Sequence, residues 1–273
     1  MDDDESMILF KDVDIDFNNS NITLIRNIES IHQRFEWDCG LCCIVSILRW
    51  LKRIDNSCNK NENIENIYQI LNTKSIWSID LSNVFSELGV NHKYYTNTIG
   101  VKIDHREMQF YKDSWESDSL RVNNLFLKTM DLNPSNLHLV SSSNQLPIKY
   151  YIDHISKGLP IILLVDSCHL YCNICKISYK NNFNSNNRNW KEMSVDNQNE
   201  NNSKIEDSIE NEDKDDFCGH YIILVGYNYE TKEIIYIDPS SNQRFCTITE
   251  KNIDNARMKS GTDLDSIFIL NQP

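Results

Sequence analysis

The spacing of apolar residues divides the chain into predicted helices and strands. After Asp38, the apolar residues Ile44, Ile47, Leu48 and Leu51 recur at steps of three and four, which predicts a helix buried along one side. Similar patterns predict further helices at residues 64–71, 81–88, 115–130, 148–155 and 250–258. Short apolar runs predict strands or extended segments at residues 7–10, 22–25, 90–96, 137–141, 161–165, 219–227, 233–239 and 266–270. This mixture of helices and strands indicates an α+β fold.

The composition is typical of one globular domain that carries a polar insertion. Apolar residues make up 40% of the 273 residues, which is enough for a sizeable core. Residues 181–216 contain eleven Asn, ten acidic and four basic residues, and such a segment does not bury enough surface to become ordered. We therefore predict a single domain over residues 1–273, with a disordered insertion at 181–216 that could cover the cleft.

The charge and the cysteine content limit the partners and the compartment. The insertion supplies six of the net −13 charges, and no basic stripe is present that could neutralise the phosphates of a nucleic acid. The chain has no long apolar run and no basic-then-apolar leader, so no membrane partner is expected. We expect an intracellular protein of the cytoplasm, and also of the nucleus, whose nine cysteines form no disulfide framework.

The start of the helix after Asp38 carries a candidate nucleophile, Cys39. Asp38 is the expected N-cap, and Gly40 is expected to leave room beside the thiol. A thiol there lies at the positive end of the helix dipole, which favours the thiolate near neutral pH. Gln33, six residues upstream, could direct its amide at the same point as the Cys39 backbone N–H. Two such donors form an oxyanion hole for acyl chemistry.

A candidate base and a residue that could orient it follow near the other end of the chain. His220 opens the strand predicted at 219–227, and Asp238 closes the strand predicted at 233–239. In an antiparallel hairpin of this length, the two residues fall at the same end and within reach of one another. A histidine held by a carboxylate and brought up to a cysteine at a helix start is the arrangement that activates a thiol.

Each of these residues also has a structural interpretation. Cysteine is among the most buried residue types, and we assign Cys42 and Cys43 to packing on that ground. Cys39 could pack in the same way, and a lone histidine such as His220 is often only the polar end of a strand. The functional interpretation rests on the combination of all four candidates.

A second group of cysteines suggests a metal. Cys172 and Cys175 form a Cys-x-x-Cys pair, which is half of a zinc site, and Cys168, Cys218 or Cys246 could complete it. No second Cys-x-x-Cys pair follows, so reduced thiols lining a turn are the alternative. The predicted chemistry requires no cofactor, and structural zinc is the metal that the sequence suggests.

The order of the candidate residues resembles that of papain-like cysteine peptidases, in particular the branch that processes bacteriocin precursors at double-glycine leaders. A second resemblance is carried by WDCGL at 37–41, SIWSIDL at 75–81, RVN at 121–123, CNIC at 172–175, GH at 219–220, AR at 256–257 and GTD at 261–263. On these segments the chain from about residue 30 to 270 resembles the guanylyl cyclase domain-containing protein 1 family of eukaryotes, which includes plant proteins described as soluble guanylyl cyclases. The main departure is the long insertion before Gly219.

These resemblances imply a fold and two activities. The papain-like one implies a helical lobe with the cysteine, packed on an antiparallel sheet lobe with the histidine and the aspartate. It implies a hydrolase or transferase that acts on a peptide or isopeptide bond of a peptide or protein, with Cys39, His220 and Asp238 as a triad and Gln33 as oxyanion donor. The resemblance to the guanylyl cyclase family implies cyclisation of GTP. For that reaction we find neither a Gly-rich phosphate loop nor a carboxylate pair flanked by Lys or Arg. A third alternative is a binding module that kept the fold and lost turnover.

Overall fold

The computed structural model describes residues 20–141, 143, 145–175 and 217–273. The extended segment predicted at residues 7–10 and the insertion predicted at 181–216 lie outside these ranges.

A sheet of eight strands forms the centre of the described structure. Its strands are β1 (Ile22–Leu24), β2 (His92–Thr96), β3 (Leu137–Leu139), β4 (Ile161–Asp166), β5 (Gly219–Asn228), β6 (Glu233–Ile237), β7 (Cys246–Thr249) and β8 (Ser266–Ile269). The order across the sheet is β3-β2-β8-β4-β5-β6-β7, and β1 pairs with the end of β5. Within this part of the chain β2 and β3 are parallel, and the other neighbours are antiparallel.

Helices cover both faces of the sheet. They are α1 (Cys39–Trp50), α2 (Lys60–Leu71), α3 (Ser78–Glu87), α4 (Gln109–Lys112), α5 (Trp115–Leu132), α6 (Ile148–Ile155) and α7 (Glu250–Arg257), with short 3-10 helices at Ile103–Glu107, Pro134–Asn136 and Ser167–His169. Buried residues of α1, α2, α3 and α5 form one core, and those of α6 and α7 form the other. None of the helices in the described ranges is long and apolar enough to cross a membrane.

The central strand β5 explains why the sheet is covered on both sides. Tyr221 and Ile223 are buried in the core that contains α1, whereas Ile222 and Leu224 are buried in the core that contains α6 and α7. Successive side chains of a strand point to opposite faces, so a strand buried on both faces has an uninterrupted apolar sequence. The α+β class is confirmed, and the helix that begins at Cys39 packs on the strand that carries His220.

The start of α1 lies very close to its neighbours. A Cβ atom on Gly40 would stand 3.1 Å from the Tyr221 ring of β5 and 3.2 Å from Ile76. Gly40 therefore makes room for the sheet and for the segment before α3, because these contacts leave no space for a side chain. We predicted that it leaves room beside the thiol; the neighbours that require the glycine are Tyr221 and Ile76.

Two segments that carry the family resemblance form a buried ionic network between α3 and α5. Arg121 of α5 forms ion pairs with Asp80 and Asp118 and donates to the carbonyl of Ser75 at 2.9 Å. Trp77 donates its indole N–H to Asp118 at 3.1 Å and its backbone N–H to Asp80 at 2.8 Å. Burial is the largest influence on Asp80 and raises its pKa, against the lowering effect of Arg121. These residues hold α3 and α5 together and lie outside the candidate site.

The predicted elements that fall within the described ranges are present in the structure, but strand β7 and the short helix α4 were not predicted. No element was predicted at residues 246–249. Instead, β7 pairs with β6 in the register Tyr236↔Cys246 to Glu233↔Thr249 and forms one edge of the sheet. The alternation of Cys246, Thr247, Ile248 and Thr249 is too short to predict a strand without knowledge of its partner.

Candidate active site

The β5–β6 hairpin brings His220 and Asp238 into contact. His220 is the second residue of β5, and Asp238 follows the last residue of β6. The register Ile223↔Ile237 places them at the same end of the hairpin, where Nε2 of His220 lies 2.8 Å from Oδ1 of Asp238. The same oxygen of Asp238 accepts from the backbone N–H of Ser240 at 2.9 Å and from its hydroxyl at 2.7 Å. Ser240 therefore holds the carboxylate oxygen that contacts the histidine.

The electrostatics of this pair favour an imidazolium beside a carboxylate. Burial lowers the pKa of His220, but the charge of Asp238 and hydrogen bonds to Asp238 and Cys39 outweigh it and raise that pKa well above its usual value. Burial raises the pKa of Asp238, but the charge of His220 and the hydrogen bonds from His220 and Ser240 lower it to about 2. Both residues are buried, with 7% and 2% of their surfaces exposed. Little solvent is present to screen the charges, so the pair is held as ions.

Cys39 lies in the first turn of α1, where it acts on His220 and raises the pKa of the imidazole. Nε2 of His220 contacts Asp238, so Nδ1 is the ring nitrogen that remains for Cys39. Cys39 is buried, with 5% of its surface exposed. Cys42 and Cys43, one turn further along, are fully buried, and burial raises the pKa of both thiols. They are packing residues, as predicted.

Asp38 occupies the N-cap position of α1 but does not cap the helix with its side chain. Its carboxylate instead accepts from the backbone N–H groups of Arg34, at 3.3 Å, and Phe35, at 3.1 Å. The predicted cap bond is wrong, because the fully buried carboxylate closes the preceding turn. Burial is the largest influence on Asp38 and raises its pKa. The first-turn N–H groups of α1 therefore receive no bond from the Asp38 side chain.

Gln33 is tied to the histidine–aspartate end of the site through its backbone. Its N–H donates to the carbonyl of Pro239, the residue after Asp238, at 2.8 Å. Its side-chain Nε2 donates to the carbonyl of Phe35 at 3.0 Å, and its Oε1 is buried without a hydrogen-bond partner. An amide nitrogen carries two hydrogens, so one donor remains beyond the bond to Phe35.

Asp166 fixes the strand entry that carries His220, and sequence analysis did not identify this role. This last residue of β4 accepts from the backbone N–H groups of Cys168 and Cys218, at 3.1 and 3.3 Å. Its other oxygen contacts Nδ1 of His169 at 2.6 Å. The short spacing between Asp166 and His169 was the available signal, but the link to Cys218 depends on the pairing of β4 with β5.

The second cysteine group is assembled from two separate segments. The Sγ atoms of Cys172, Cys175 and Cys246 all lie within 4.8 Å of one another. Cys168 and Cys218, the other partners considered above, are not members of this group. Asp166 binds both of their backbone N–H groups at the end of β4, and the charge of nearby His220 acts on Cys218. All nine cysteines fall within the described ranges, and all are free thiols.

Comparisons with known proteins place the chain in a family. Guanylyl cyclase 1 of Arabidopsis thaliana is 27% identical over 254 residues, which cover 89% of this chain and 75% of that protein. Among solved structures, a protein described as a C39-like peptidase from Bacillus anthracis is 10% identical, with a TM-score of 0.44, and the match covers 92% of this chain and 98% of that one. The model of the family described as guanylylate cyclase matches residues 28–269. Since that match spans most of the sequence, the chain belongs to the guanylylate cyclase family.

Proposed function

We propose that this protein is a papain-like cysteine hydrolase that acts on a peptide or isopeptide bond of a peptide or protein substrate. The observation that carries the proposal is the buried His220–Asp238 pair, with Cys39 at the start of α1 acting on the same histidine. A positioned base, a group that orients it and a thiol at a helix N-terminus are the parts of an activated nucleophile. No cofactor is needed for this chemistry, and neither nucleic acid nor a membrane is part of the proposal.

The proposed reaction has two steps. In the first, the sulfur of Cys39 attacks the carbonyl carbon, the C–N bond breaks, and the imidazolium of His220 gives its proton to the leaving amine through Nδ1. In the second, His220 takes a proton from water, the hydroxide attacks the thioester carbon, and the C–S bond breaks. The acid is released, and the thiolate of Cys39 and the imidazolium of His220 are regenerated. Asp238 keeps the ring oriented and stabilises its charge throughout both steps.

The N-terminus of α1 and Gln33 would stabilise the oxyanion of the proposed reaction. The backbone N–H of Cys39 belongs to the first turn, where N–H groups have no partner within the helix. The remaining amide donor of Gln33 would supply the second bond after a small rotation of its side chain. Removal of one oxyanion donor typically slows such reactions by about 100-fold.

The second candidate function is cyclisation of GTP, which the family description and the name of the Arabidopsis relative favour. A pocket of about 260 Å³ is lined by Lys102, His105 and Asp263 among others. Asp263 pairs there with Lys102 at 2.5 Å, a carboxylate–lysine contact that the sequence did not reveal. The adjacent carboxyl of Asp265 is buried, and burial, followed by the charge of Asp263, raises its pKa well above its usual value. Cyclisation usually relies on two metals held by ionised carboxylates, so this pair is poorly suited to it.

Alkylation of the native protein tests the proposed nucleophile. A limiting amount of iodoacetamide is added near neutral pH, and mass spectrometry identifies which cysteine reacts first. We expect Cys39 to react before Cys218, which is a nearby internal control whose pKa is raised mainly by burial. The preference should disappear in His220→Ala. Equal rates for Cys39 and Cys218 in the unmodified protein would refute an activated thiol.

Turnover distinguishes the two candidates. The protein and its Cys39→Ala variant are incubated with a proteome-derived peptide mixture and, separately, with GTP and Mg²⁺ or Mn²⁺. New peptide termini that require Cys39 would support hydrolysis. Formation of cyclic GMP that is unchanged in Cys39→Ala, without new termini, would overturn the proposal in favour of cyclisation.

A further inference from the structure

Three cysteines from two segments converge next to the turn that carries Asp238. Cys172 and Cys175 lie in the turn that follows the 3-10 helix Ser167–His169, and Cys246 opens β7. The backbone N–H of Asn173 donates to the carbonyl of Thr247 at 2.8 Å, which fastens the Cys-x-x-Cys turn to β7. The sulfurs of Cys175 and Cys246 are 3.6 Å apart.

The spacing of the sulfurs fits a tetrahedral metal. With Zn–S bonds of about 2.3 Å, two thiolates on one zinc ion are separated by roughly 3.8 Å. The measured 3.6 Å between Cys175 and Cys246 is close to this value, and the upper limit of 4.8 Å for the group requires only small side-chain rotations. A disulfide would join only two of the three sulfurs, at about 2.0 Å. The third thiol would then remain buried beside it.

A backbone N–H group donates to one of the three sulfurs. The backbone N–H of Cys175 donates to Sγ of Cys172 at 3.3 Å. N–H donors around a sulfur are typical of metal-bound thiolates.

We infer that Cys172, Cys175 and Cys246 form a Zn²⁺ site, with water as an exchangeable fourth ligand. Cys172 and Cys246 are buried and Cys175 is partly exposed, so the water lies on the side of Cys175. Binding forms three Zn–S bonds, and each cysteine that binds as a thiolate releases its thiol proton to solvent. The metal neutralises most of the charge that three thiolates would otherwise place in a largely buried group.

The site also holds the turn that carries the proposed triad. The hydroxyl of Ser241 lies 3.5 Å from Sγ of Cys246 and 3.7 Å from Sγ of Cys175. The backbone N–H of Ser241 donates to the carbonyl of Asp238 at 3.0 Å. Zinc would therefore fix the residues after β6 and, through them, Asp238. The metal site does not depend on the proposed hydrolysis, because it rests on different side chains.

Metal analysis of the full-length protein tests the inference. The protein is purified without chelator, its zinc content is measured by mass spectrometry, and the chelated protein is titrated with Co²⁺. We expect about one zinc per chain and, with Co²⁺, a sulfur-to-cobalt charge-transfer band with the visible bands of a tetrahedral site. Ser241→Ala, which removes a neighbour of the ligands, should weaken Co²⁺ binding by about 10- to 100-fold.

Matched cysteine variants identify the ligands. Cys175→Ser replaces the partly exposed ligand and should remove the charge-transfer band, whereas Cys168→Ser and Cys218→Ser should bind Co²⁺ like the unmodified protein. Because Cys246 is buried, the Co²⁺ result for Cys246→Ser is interpreted only if the circular dichroism spectrum of the variant matches that of the unmodified protein. Protein that contains no zinc and gives no cobalt band, or that shows a Cys175–Cys246 disulfide in non-reducing peptide maps, would overturn the inference.

Discussion

Replacement of Asp238 by Asn tests whether the buried ion pair stabilises the fold in addition to its proposed catalytic role. The variant keeps the shape of the side chain but removes its charge. The pKa of Asp238 falls from 3.8 to about 2 in the folded protein. At about 1.4 kcal/mol per pKa unit, this lowering corresponds to about 2.5 kcal/mol of stability above pH 3.8. We expect Asp238→Asn to lose roughly that amount.

The pH dependence follows from the direction of each shift. The contribution of Asp238 is present above its unfolded pKa of 3.8 and is lost as the pH falls towards about 2. The contribution of His220 is present below its unfolded pKa of 6.5 and is lost as the pH rises through its raised value in the folded protein. Both contributions are complete between 3.8 and 6.5, so the difference between the two proteins should be largest there.

The assay is urea denaturation followed by circular dichroism across this pH range. Asp153→Asn is the matched control, since Asp153 forms an ion pair with Lys149 in which both side chains are at least half exposed. This control should change the free energy of unfolding by less than about 0.5 kcal/mol. A loss for Asp238→Asn that does not vary with pH, or one no larger than that of the control, would refute the reasoning.

Two further substitutions test the packing that supports the site. Arg121→Met leaves the buried carboxylate of Asp80 without its partner and should lower the free energy of unfolding by about 3 kcal/mol in the same assay; a loss below about 1 kcal/mol would show that the network contributes little. Gly226→Ala places a Cβ atom 2.5 Å from the backbone oxygen of Thr23, which cannot move independently of β1. We expect a loss of about 2 kcal/mol and increased proteolysis at β1, and an unchanged digestion pattern would contradict this.

Local sequence patterns predicted the parts of the candidate site that depend on a single element. Apolar residues at helical spacing placed Cys39 at the start of α1, and two neighbouring apolar runs placed His220 and Asp238 at one end of a hairpin. These features depend only on helix and strand periodicity and on a short connection, so they could be inferred without other parts of the chain.

The partners of buried polar side chains were harder to predict. A buried polar group needs a hydrogen bond, and its partner can come from any part of the chain that packs against it. Asp38 has the residue type and position of an N-cap, yet its carboxylate closes the preceding turn. Asp166 lies just after the strand predicted at 161–165 and was given no role, yet it holds the backbone that leads into His220. In both cases a nearby backbone N–H, rather than the local pattern, determined the contact.

The sequence by itself determined the class of fold, most elements and the residues that could act as nucleophile, base and orienting group. Only the tertiary structure decided which cysteine joins Cys172 and Cys175. The pairing of β6 with β7 brings Cys246 to them from more than seventy residues away, whereas Cys218, nearer in sequence, belongs to the His220 strand. The spacing of cysteines in the sequence gives only their separation along the chain. Which of them lie close together in space depends on the register of the strands that pair in the sheet.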